Sequence, residues 1–380
     1  MLWNPDSYME QLIQECVPSL RFKAGDLNEW AKWRSGLRSE ITRALGGFPS
    51  EPCDLMPEVL EEIECGGYIR RKIVYVVEPG LRVPLYMLLP DTEKDGEKSG
   101  EKMNGPYSDN AAVQEPVPGT GKALPGGETE SGRRYPAVIA LHGHGYGVKD
   151  AIGLNPDGSV RTGAPGYHKD FAIQLARQGF VVFAPELLGF GETRLAEHQK
   201  AAPEVNSCSR LAANLLMVGR TLLGLRVYQT MRALDLALAM PETDPERIGI
   251  MGISGGGAVA AFTAALDDRI RAAVISGYVS MFRGGIMAMH HCIDNFVPGL
   301  LRLAELPDIV SLIAPRPLLI EAGTQDRIFP ILSALEAYGD ITKVYTLHNA
   351  LHLFQKDIFE GGHEISGRKA YAFLNTHLGG

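Results

Sequence analysis

The sequence contains few cysteines, and their arrangement argues against two kinds of structure. Five cysteines are scattered over 380 residues, and no two of them form a CxxC pair. A disulfide framework normally shows an even number of cysteines, and a structural zinc site normally shows cysteines paired at short spacing. We therefore expect no disulfides, no structural zinc and five free thiols, which are Cys16, Cys53, Cys65, Cys208 and Cys292.

The sequence also lacks a membrane-spanning run, a secretory signal and a basic patch. No apolar run is long enough to span a bilayer, and the start, MLWNPDSYMEQ, lacks the basic and apolar regions of a secretory signal. We therefore expect a cytoplasmic protein without a membrane partner. Lys and Arg number 37 against 45 Asp and Glu, a formal charge of −8, and they form no basic patch, so nucleic acid is not an expected partner. A homo-oligomer stays open.

The first part of the chain has a helical pattern. We assign residues 1–66 to an N-terminal helical appendage and residues 67–380 to a catalytic domain. Asp26 can cap a helix that ends at Gly46-Gly47 and carries an apolar stripe at helical spacing. The stripe consists of Leu27, Trp30, Trp33, Leu37, Ile41 and Leu45.

The second part begins with a sequence that is typical of β-strands. Two β-branched and aromatic runs between Gly67 and Pro90 surround Glu78-Pro79-Gly80, which predicts a β-hairpin. Residues 91–134 are rich in Gly, Pro, Ser, Lys and Glu, so we expect a mobile surface insertion there.

From residue 135 onward, short apolar runs alternate with helical stretches. This pattern predicts an α/β fold with a mainly parallel, doubly wound sheet covered by helices on both faces. The predicted strands are AVIAL (137–141), FVVFA (180–184), RIGIMG (247–252), RAAVISG (271–277) and PLLIEAG (317–323).

One motif carries the strongest chemical signal. Residues 252–256, Gly-Ile-Ser-Gly-Gly, fit G-x-S-x-G between a predicted strand and an Ala-rich helix, the context in which a nucleophilic serine sits on a sharp turn. Its neighbours need to lack Cβ so that strand and helix can approach each other. A phosphate loop is the alternative, but no Lys follows the glycines. Ser254 is therefore the candidate nucleophile.

A serine nucleophile needs a base and an orienting acid, which follow it in the chain order Ser, acid, His in this type of fold. Asp326 lies just after the strand PLLIEAG, where open α/β sheets keep their sites, and it is the favoured acid. Asp294 is a rival, and Asp308 is better placed to start a helix.

The same argument selects the base. His363 follows a strand-like run that ends at Gly361-Gly362, which places it in a loop at a strand end. It is therefore the favoured base. His348 and His352 are the rivals, and ordinary packed or surface histidines are the simpler explanation for both.

The segment LHGHG contains His142 and His144, which suggests a metal pair. The ligand set is incomplete, because His168 has no ligand-like spacing to the pair. The loop also follows the strand after which serine hydrolases of this fold place their oxyanion loop. We therefore expect the backbone N–H groups of His144 and Gly255 to form an oxyanion hole, and we expect neither a metal nor an organic cofactor.

Taken together, these motifs resemble the α/β-hydrolase superfamily in its dienelactone-hydrolase-like and acetyl-xylan-esterase-like branch. The similar segments, within residues 67–380, are LHGHG, PELLGFGE, GISGGGA, LIAPRPLLIEAGTQDRIFP and FEGGHEISG. The resemblance implies a Ser254–Asp326–His363 triad and ester hydrolysis through an acyl-enzyme.

The expected function is a serine carboxylesterase acting on a small-molecule ester, either a short-acyl ester or an acetylated carbohydrate. Segments 186–222 and 278–314 could line the acyl pocket or merely cover the sheet. The same triad also serves amidases, peptidases and lactonases, because it does not fix the leaving group. A catalytically silent binding module and a zinc hydrolase built on His142 and His144 are the remaining alternatives.

Overall fold

The computed structural model describes residues 3–90, 117–118 and 133–379. Most of the predicted 91–134 insertion therefore lies outside the described residues. The helices in chain order are α1 (Asp6–Glu15), α2 (Leu27–Ala44), α3 (Val148–Ala151), α4 (Phe171–Arg177), α5 (Cys208–Met217), α6 (Leu222–Ala239), α7 (Gly255–Leu266), α8 (Leu300–Leu303), α9 (Leu306–Val310), α10 (Ile331–Leu347) and α11 (Ala370–Leu378).

The strands belong to one sheet. They are β1 (Glu58–Cys65), β2 (Tyr68–Glu78), β3 (Leu81–Pro90), β4 (Val117–Pro118), β5 (Tyr135–Leu141), β6 (Val181–Pro185), β7 (Thr243–Ile253), β8 (Ala272–Ser276), β9 (Leu318–Gly323) and β10 (Phe354–Phe359). Their order across the sheet is β10-β9-β8-β7-β5-β6-β3-β2-β1-β4. The six strands from β10 to β6 pair in parallel, and the remaining pairings are antiparallel.

The parallel strands are buried on both faces. In β5, Ala137, Ile139 and Leu141 face one apolar cluster, which also contains residues of α2, α6, α7 and α10. Val138 and Ala140 face a second cluster, which contains residues of α4 and α11. Successive side chains of a strand point to opposite faces, so this alternation places helices on both sides of the sheet. The predicted fold class, the five predicted strands and the hairpin β2–β3 are confirmed.

The N-terminal region is less separate than its sequence suggests. Asp26 caps α2 as predicted, since its carboxylate accepts hydrogen bonds from the Asn28 and Glu29 N–H groups at 2.8 Å. Leu37 and Ile41 of that helix are fully buried in the main core, whereas Leu27 is exposed.

A strand lies within the range assigned to the helical appendage. Residues 58–65 form β1, which pairs antiparallel with β2 as part of the sheet. Four of its eight residues are glutamates, and only Ile63 is buried. The strand therefore lacks the apolar run by which the other strands were found.

The structure also shows the state of the cysteines and the length and apolarity of the described helices. The five cysteines all lie within the described ranges, and each has a free thiol, as predicted. No helix among the described residues is both long enough and apolar enough to cross a membrane.

Candidate active site

Ser254 occupies the sharp turn between β7 and α7. Its backbone has φ +57° and ψ −124°, a conformation that non-glycine residues rarely adopt. The Ser254 N–H donates to the Ser276 carbonyl on the neighbouring strand at 3.0 Å, which holds the strained residue in place. A strained residue between a strand and a helix is the geometry expected of a nucleophile elbow.

The neighbouring glycines have the steric role that the sequence predicts. A Cβ added at Gly252 would lie 2.3 Å from the Gly256 carbonyl oxygen, and one at Gly256 would lie 2.2 Å from the Leu141 carbonyl oxygen. Both distances are far below van der Waals contact with rigid backbone atoms. The turn can therefore form only if both positions lack a side chain.

We expect Gly256→Ala to destabilise the turn and to lower hydrolytic activity at least tenfold, because the backbone must shift to admit the methyl group. Gly36→Ala is the matched control, since a Cβ at this exposed position in α2 meets nothing within 4 Å. That change should raise the free energy of unfolding by up to about 1 kcal/mol through helix propensity. Urea unfolding and activity assays of both variants test the contrast, and equal effects would refute it.

Asp326 and His363 meet at the C-terminal ends of β9 and β10. The Nδ1 atom of His363 lies 2.8 Å from Oδ2 of Asp326, and the other carboxylate oxygen accepts from the N–H groups of Ile328 and Phe329 at 2.7 and 3.0 Å. Burial of Asp326 opposes its ionisation, but the hydrogen bond and charge of His363, together with the Phe329 and Ile328 N–H groups, lower the pKa of the carboxyl group. Asp326 is thus held as a carboxylate beside the imidazole.

Two aromatic rings fix the orientation of His363. Tyr167 and Phe329 stack on the imidazole, each with a centroid distance of 5.6 Å. Tyr167 also lies close to the nucleophile turn at Gly143. A Cβ added at Gly143 would lie 2.3 Å from the Tyr167 hydroxyl and 3.0 Å from the Ser254 Cβ. The described residues contain no hydrogen bond between Ser254 and His363. In enzymes without substrate this bond is often long or poorly aligned.

The rival residues lie in other surroundings. Asp308 belongs to the capping box of α9, where it accepts from the Glu305 N–H at 2.9 Å. His348 packs edge-on against Trp30 with ring centroids 4.2 Å apart, and His352 is exposed in a short 3-10 helix. None of the three contacts Asp326 or His363, so the geometry favours the acid and base selected from the sequence.

The loop after β5 runs beside the nucleophile turn. Within the described ranges, neither the His144 N–H nor the Gly255 N–H donates a hydrogen bond to the protein. The Gly255 N–H is at the first residue of α7, a helix N-terminus that favours negative charge. Two unused donors beside Ser254 are what an oxyanion hole requires.

A buried histidine holds this loop in place. His168 accepts from the Gly143 N–H through Nε2 at 2.8 Å, and its Nδ1 lies 2.9 Å from Asp150. Asp150 also accepts from Arg161 at 2.6 Å. From the sequence, His168 is a candidate only for a metal ligand, and this supporting role is not predicted. Spacing along the chain carries no signal for it, because the contact forms only when the fold closes.

The Asp150 carboxylate is expected to stabilise the fold in a pH-dependent way. Burial opposes its ionisation, but hydrogen bonds from His168 and Arg161 lower the pKa of Asp150 from 3.8 to about 2. A lowered pKa adds stability above the unfolded value, and this stability is lost as the pH falls toward the folded value. We expect Asp150→Asn to lower the free energy of unfolding by about 2 kcal/mol at pH 7. Urea unfolding should show the deficit shrinking below pH 4, and a deficit that stays constant with pH would contradict this account.

The two histidines of the HGHG segment do not share a site. The His142 ring is fully buried, with Nδ1 2.8 Å from the Gly143 carbonyl oxygen and Nε2 accepting from the Leu187 N–H at 3.0 Å. The ring of His144 points elsewhere, with Nε2 3.2 Å from Asp294. The structure therefore gives no support to a zinc hydrolase built on this pair.

Asp294 is engaged in a buried group of charges. Arg226 donates to Asp294 at 2.5 Å and to the Cys208 sulfur at 3.1 Å. Burial opposes protonation of His144, but Asp294 raises the pKa of its imidazole to about 9. A hydrogen bond from Cys292 and the nearby guanidinium lower the pKa of Cys208. The rival acid Asp294 therefore belongs to a buried charge cluster beside the loop that follows β5.

The strained serine, the histidine–aspartate pair and the parallel sheet that carries them define a hydrolase of the α/β type. The sequence matches the Abhydrolase family over residues 128–357. The chain belongs to this family of enzymes, and the expected superfamily membership is confirmed.

Individual proteins are similar to this chain in sequence or fold. A protein of Bacillus subtilis (strain 168) named as a hydrolase, YtaP, is 30% identical over 251 residues, which cover 64% of this chain and 79% of that protein. A Bacteroides fragilis NCTC 9343 structure described as an acetyl xylan esterase has a TM-score of 0.70 at 17% identity, covering 95% of this chain and 83% of that one. A glucuronoyl esterase from Solibacter usitatus has a TM-score of 0.64 at 14% identity, covering 95% and 97%.

Proposed function

We propose that this enzyme is a serine carboxylesterase that hydrolyses small esters through an acyl-enzyme on Ser254. The observation that carries the proposal is the Asp326–His363 hydrogen bond of 2.8 Å beside a serine at a strained strand–helix turn. A serine hydroxyl becomes an effective nucleophile when an oriented imidazole removes its proton. The family membership supports the reaction class.

In the proposed reaction, Ser254 Oγ attacks the ester carbonyl carbon while His363 Nε2 accepts the hydroxyl proton. Asp326 accepts the Nδ1–H bond and stabilises the imidazolium that forms. The N–H groups of His144 and Gly255 donate to the oxyanion of the tetrahedral intermediate. His363 then protonates the leaving alcohol, and a water molecule activated by His363 releases the acid from Ser254.

The proposed substrates are short-acyl esters and acetylated carbohydrates. The proposal is supported by the structures with similar folds, which include proteins described as acetyl xylan esterase and as a carbohydrate esterase family 15 glucuronoyl esterase. The triad does not itself select esters over amides or lactones. The acyl and alcohol groups must therefore be identified by assay.

A substrate panel tests the proposal. It comprises p-nitrophenyl esters of graded chain length, acetylated sugars, a glucuronoyl ester, lactones and anilides. We expect hydrolysis of the shortest acyl esters and of at least one acetylated sugar, and no turnover of anilides. Preferential turnover of anilides or lactones would show that the same triad serves an amidase or a lactonase instead.

A further inference from the structure

Four metal-ligating side chains meet behind the oxyanion loop. His144 follows β5, Cys208 is the first residue of α5, and Cys292 and Asp294 lie at the 3-10 helix Ile293–Asn295. Each offers one ligand atom, and the four atoms all lie within 4.8 Å of one another. We call these four residues the His144 cluster. Three segments that are distant in sequence therefore bring potential ligands to one point.

The types of donor atom suit zinc. Thiolate sulfur, imidazole nitrogen and carboxylate oxygen are all zinc ligands, and structural zinc sites have four protein ligands in a tetrahedron. Bonds of about 2.0–2.3 Å place the ligand atoms of such a tetrahedron roughly 3.3–3.8 Å apart. The His144 cluster needs a contraction of about 1 Å to reach this geometry, which side-chain rotation can supply.

The surrounding residues orient the donors and leave a charge for a divalent cation to balance. Arg226 donates to both the Cys208 sulfur and the Asp294 Oδ2, and Asn295 donates to the Asp294 Oδ1 at 3.0 Å. Contacts of this kind hold metal ligands in place. Metal binding requires deprotonated thiols and a neutral imidazole. In that state the two thiolates and one carboxylate carry −3, Arg226 contributes +1, and a divalent cation neutralises the remaining −2.

A buried nitrogen in the cluster lacks a hydrogen-bond partner. His144 Nε2 is shielded from solvent and makes no hydrogen bond to the described residues, although it lies 3.2 Å from an Asp294 oxygen. Buried polar atoms are nearly always satisfied, and an unsatisfied one is costly. The edge of the same ring that carries Nδ1 faces Gly255, so Nε2 is the nitrogen directed into the cluster.

We propose that the His144 cluster binds one zinc ion, which ties the oxyanion loop to α5 and to the 3-10 helix. Four protein ligands leave no position for a reactive water, so this ion stabilises structure and takes no part in the hydrolysis. Zinc binds the neutral imidazole, so His144 Nε2 carries no proton in the zinc-bound state. The proposal departs from the expectations of no structural zinc and no metal, which rested only on the spacing of the cysteines and of the pair His142 and His144 along the sequence.

The test measures metal binding directly. The full-length protein is stripped with a chelator under reducing conditions, loaded with Zn²⁺ or Co²⁺ and desalted, and its metal content is measured by mass spectrometry. Wild type should hold one zinc per chain, and its cobalt form should show tetrahedral visible bands with a thiolate charge-transfer band. Cys208→Ser and Cys292→Ser should each bind zinc at least about tenfold more weakly against a chromogenic chelator.

Two controls separate this proposal from the proposed function. Cys65→Ser removes a thiol outside the cluster and should keep both metal and activity. Ser254→Ala should keep its zinc while losing ester hydrolysis. Circular dichroism of each variant checks folding, and metal titration of the wild type needs no variant at all.

Three results would overturn the proposal. The first is a zinc-loaded wild type that holds no metal and has both thiols open to alkylation. The second is a Cys208–Cys292 disulfide in protein purified without reductant, which would make the pair a redox couple. The third is undiminished zinc binding in both cysteine variants, which would place the metal elsewhere.

Discussion

Ser254→Ala is expected to lower kcat/KM for the best ester substrate by about 10⁴-fold or more, because in the proposed mechanism the acyl-enzyme forms on the Ser254 hydroxyl. The residual rate should come from substrate binding and from the two N–H donors beside the turn. The melting temperature should stay at or above that of the wild type, since alanine keeps the Cβ and the backbone N–H that donates to Ser276. Steady-state kinetics and thermal unfolding measure the two quantities.

The matched control is Ser280→Ala. Ser280 is buried, and its hydroxyl donates to the neighbouring Met281 carbonyl outside the proposed triad. This variant should keep activity within a few-fold of wild type. If Ser254→Ala retained substantial activity while Ser280→Ala lost it, the assignment of the nucleophile would be wrong.

His363→Ala should be about as damaging as Ser254→Ala, because the members of a triad act as a unit. The double variant Ser254→Ala/His363→Ala should be no slower than either single variant, which separates shared chemistry from two independent structural losses. Kinetic constants of the three variants test this on the substrate used for Ser254→Ala.

His352→Ala is the control for this comparison, since His352 is an exposed histidine eleven positions before His363 in the chain. It should behave as wild type. A mild effect of His363→Ala together with a severe effect of His352→Ala would reassign the base and contradict the geometry around Asp326.

The parallel part of the fold and the proposed triad follow from local sequence patterns. Strands β5 to β9 each contain a short apolar run, and Ser254 lies in a motif whose turn requires the flanking glycines. Asp326 and His363 each follow a strand end, and parallel strands bring such ends to one edge of a sheet. These features depend on residues close together in sequence, so the sequence alone can predict them.

Other features could not be read from the sequence because they form only in three dimensions. The rings of Tyr167 and Phe329 meet His363 from loops that are far apart in the chain. Cys208 and Asp294 are separated by 86 positions, yet both contact Arg226. Strand β1 has no signal in the sequence for a different reason, since its four glutamates leave no apolar run.

The central claim is that Ser254 is the nucleophile activated by His363, and covalent labelling tests it most directly. The protein is incubated with an organophosphonate that mimics the tetrahedral intermediate, digested and sequenced by mass spectrometry. The account predicts one adduct per chain, located on Ser254, that forms in step with loss of esterase activity and is absent from Ser254→Ala. An adduct on another residue, or full activity in protein labelled at Ser254, would contradict it.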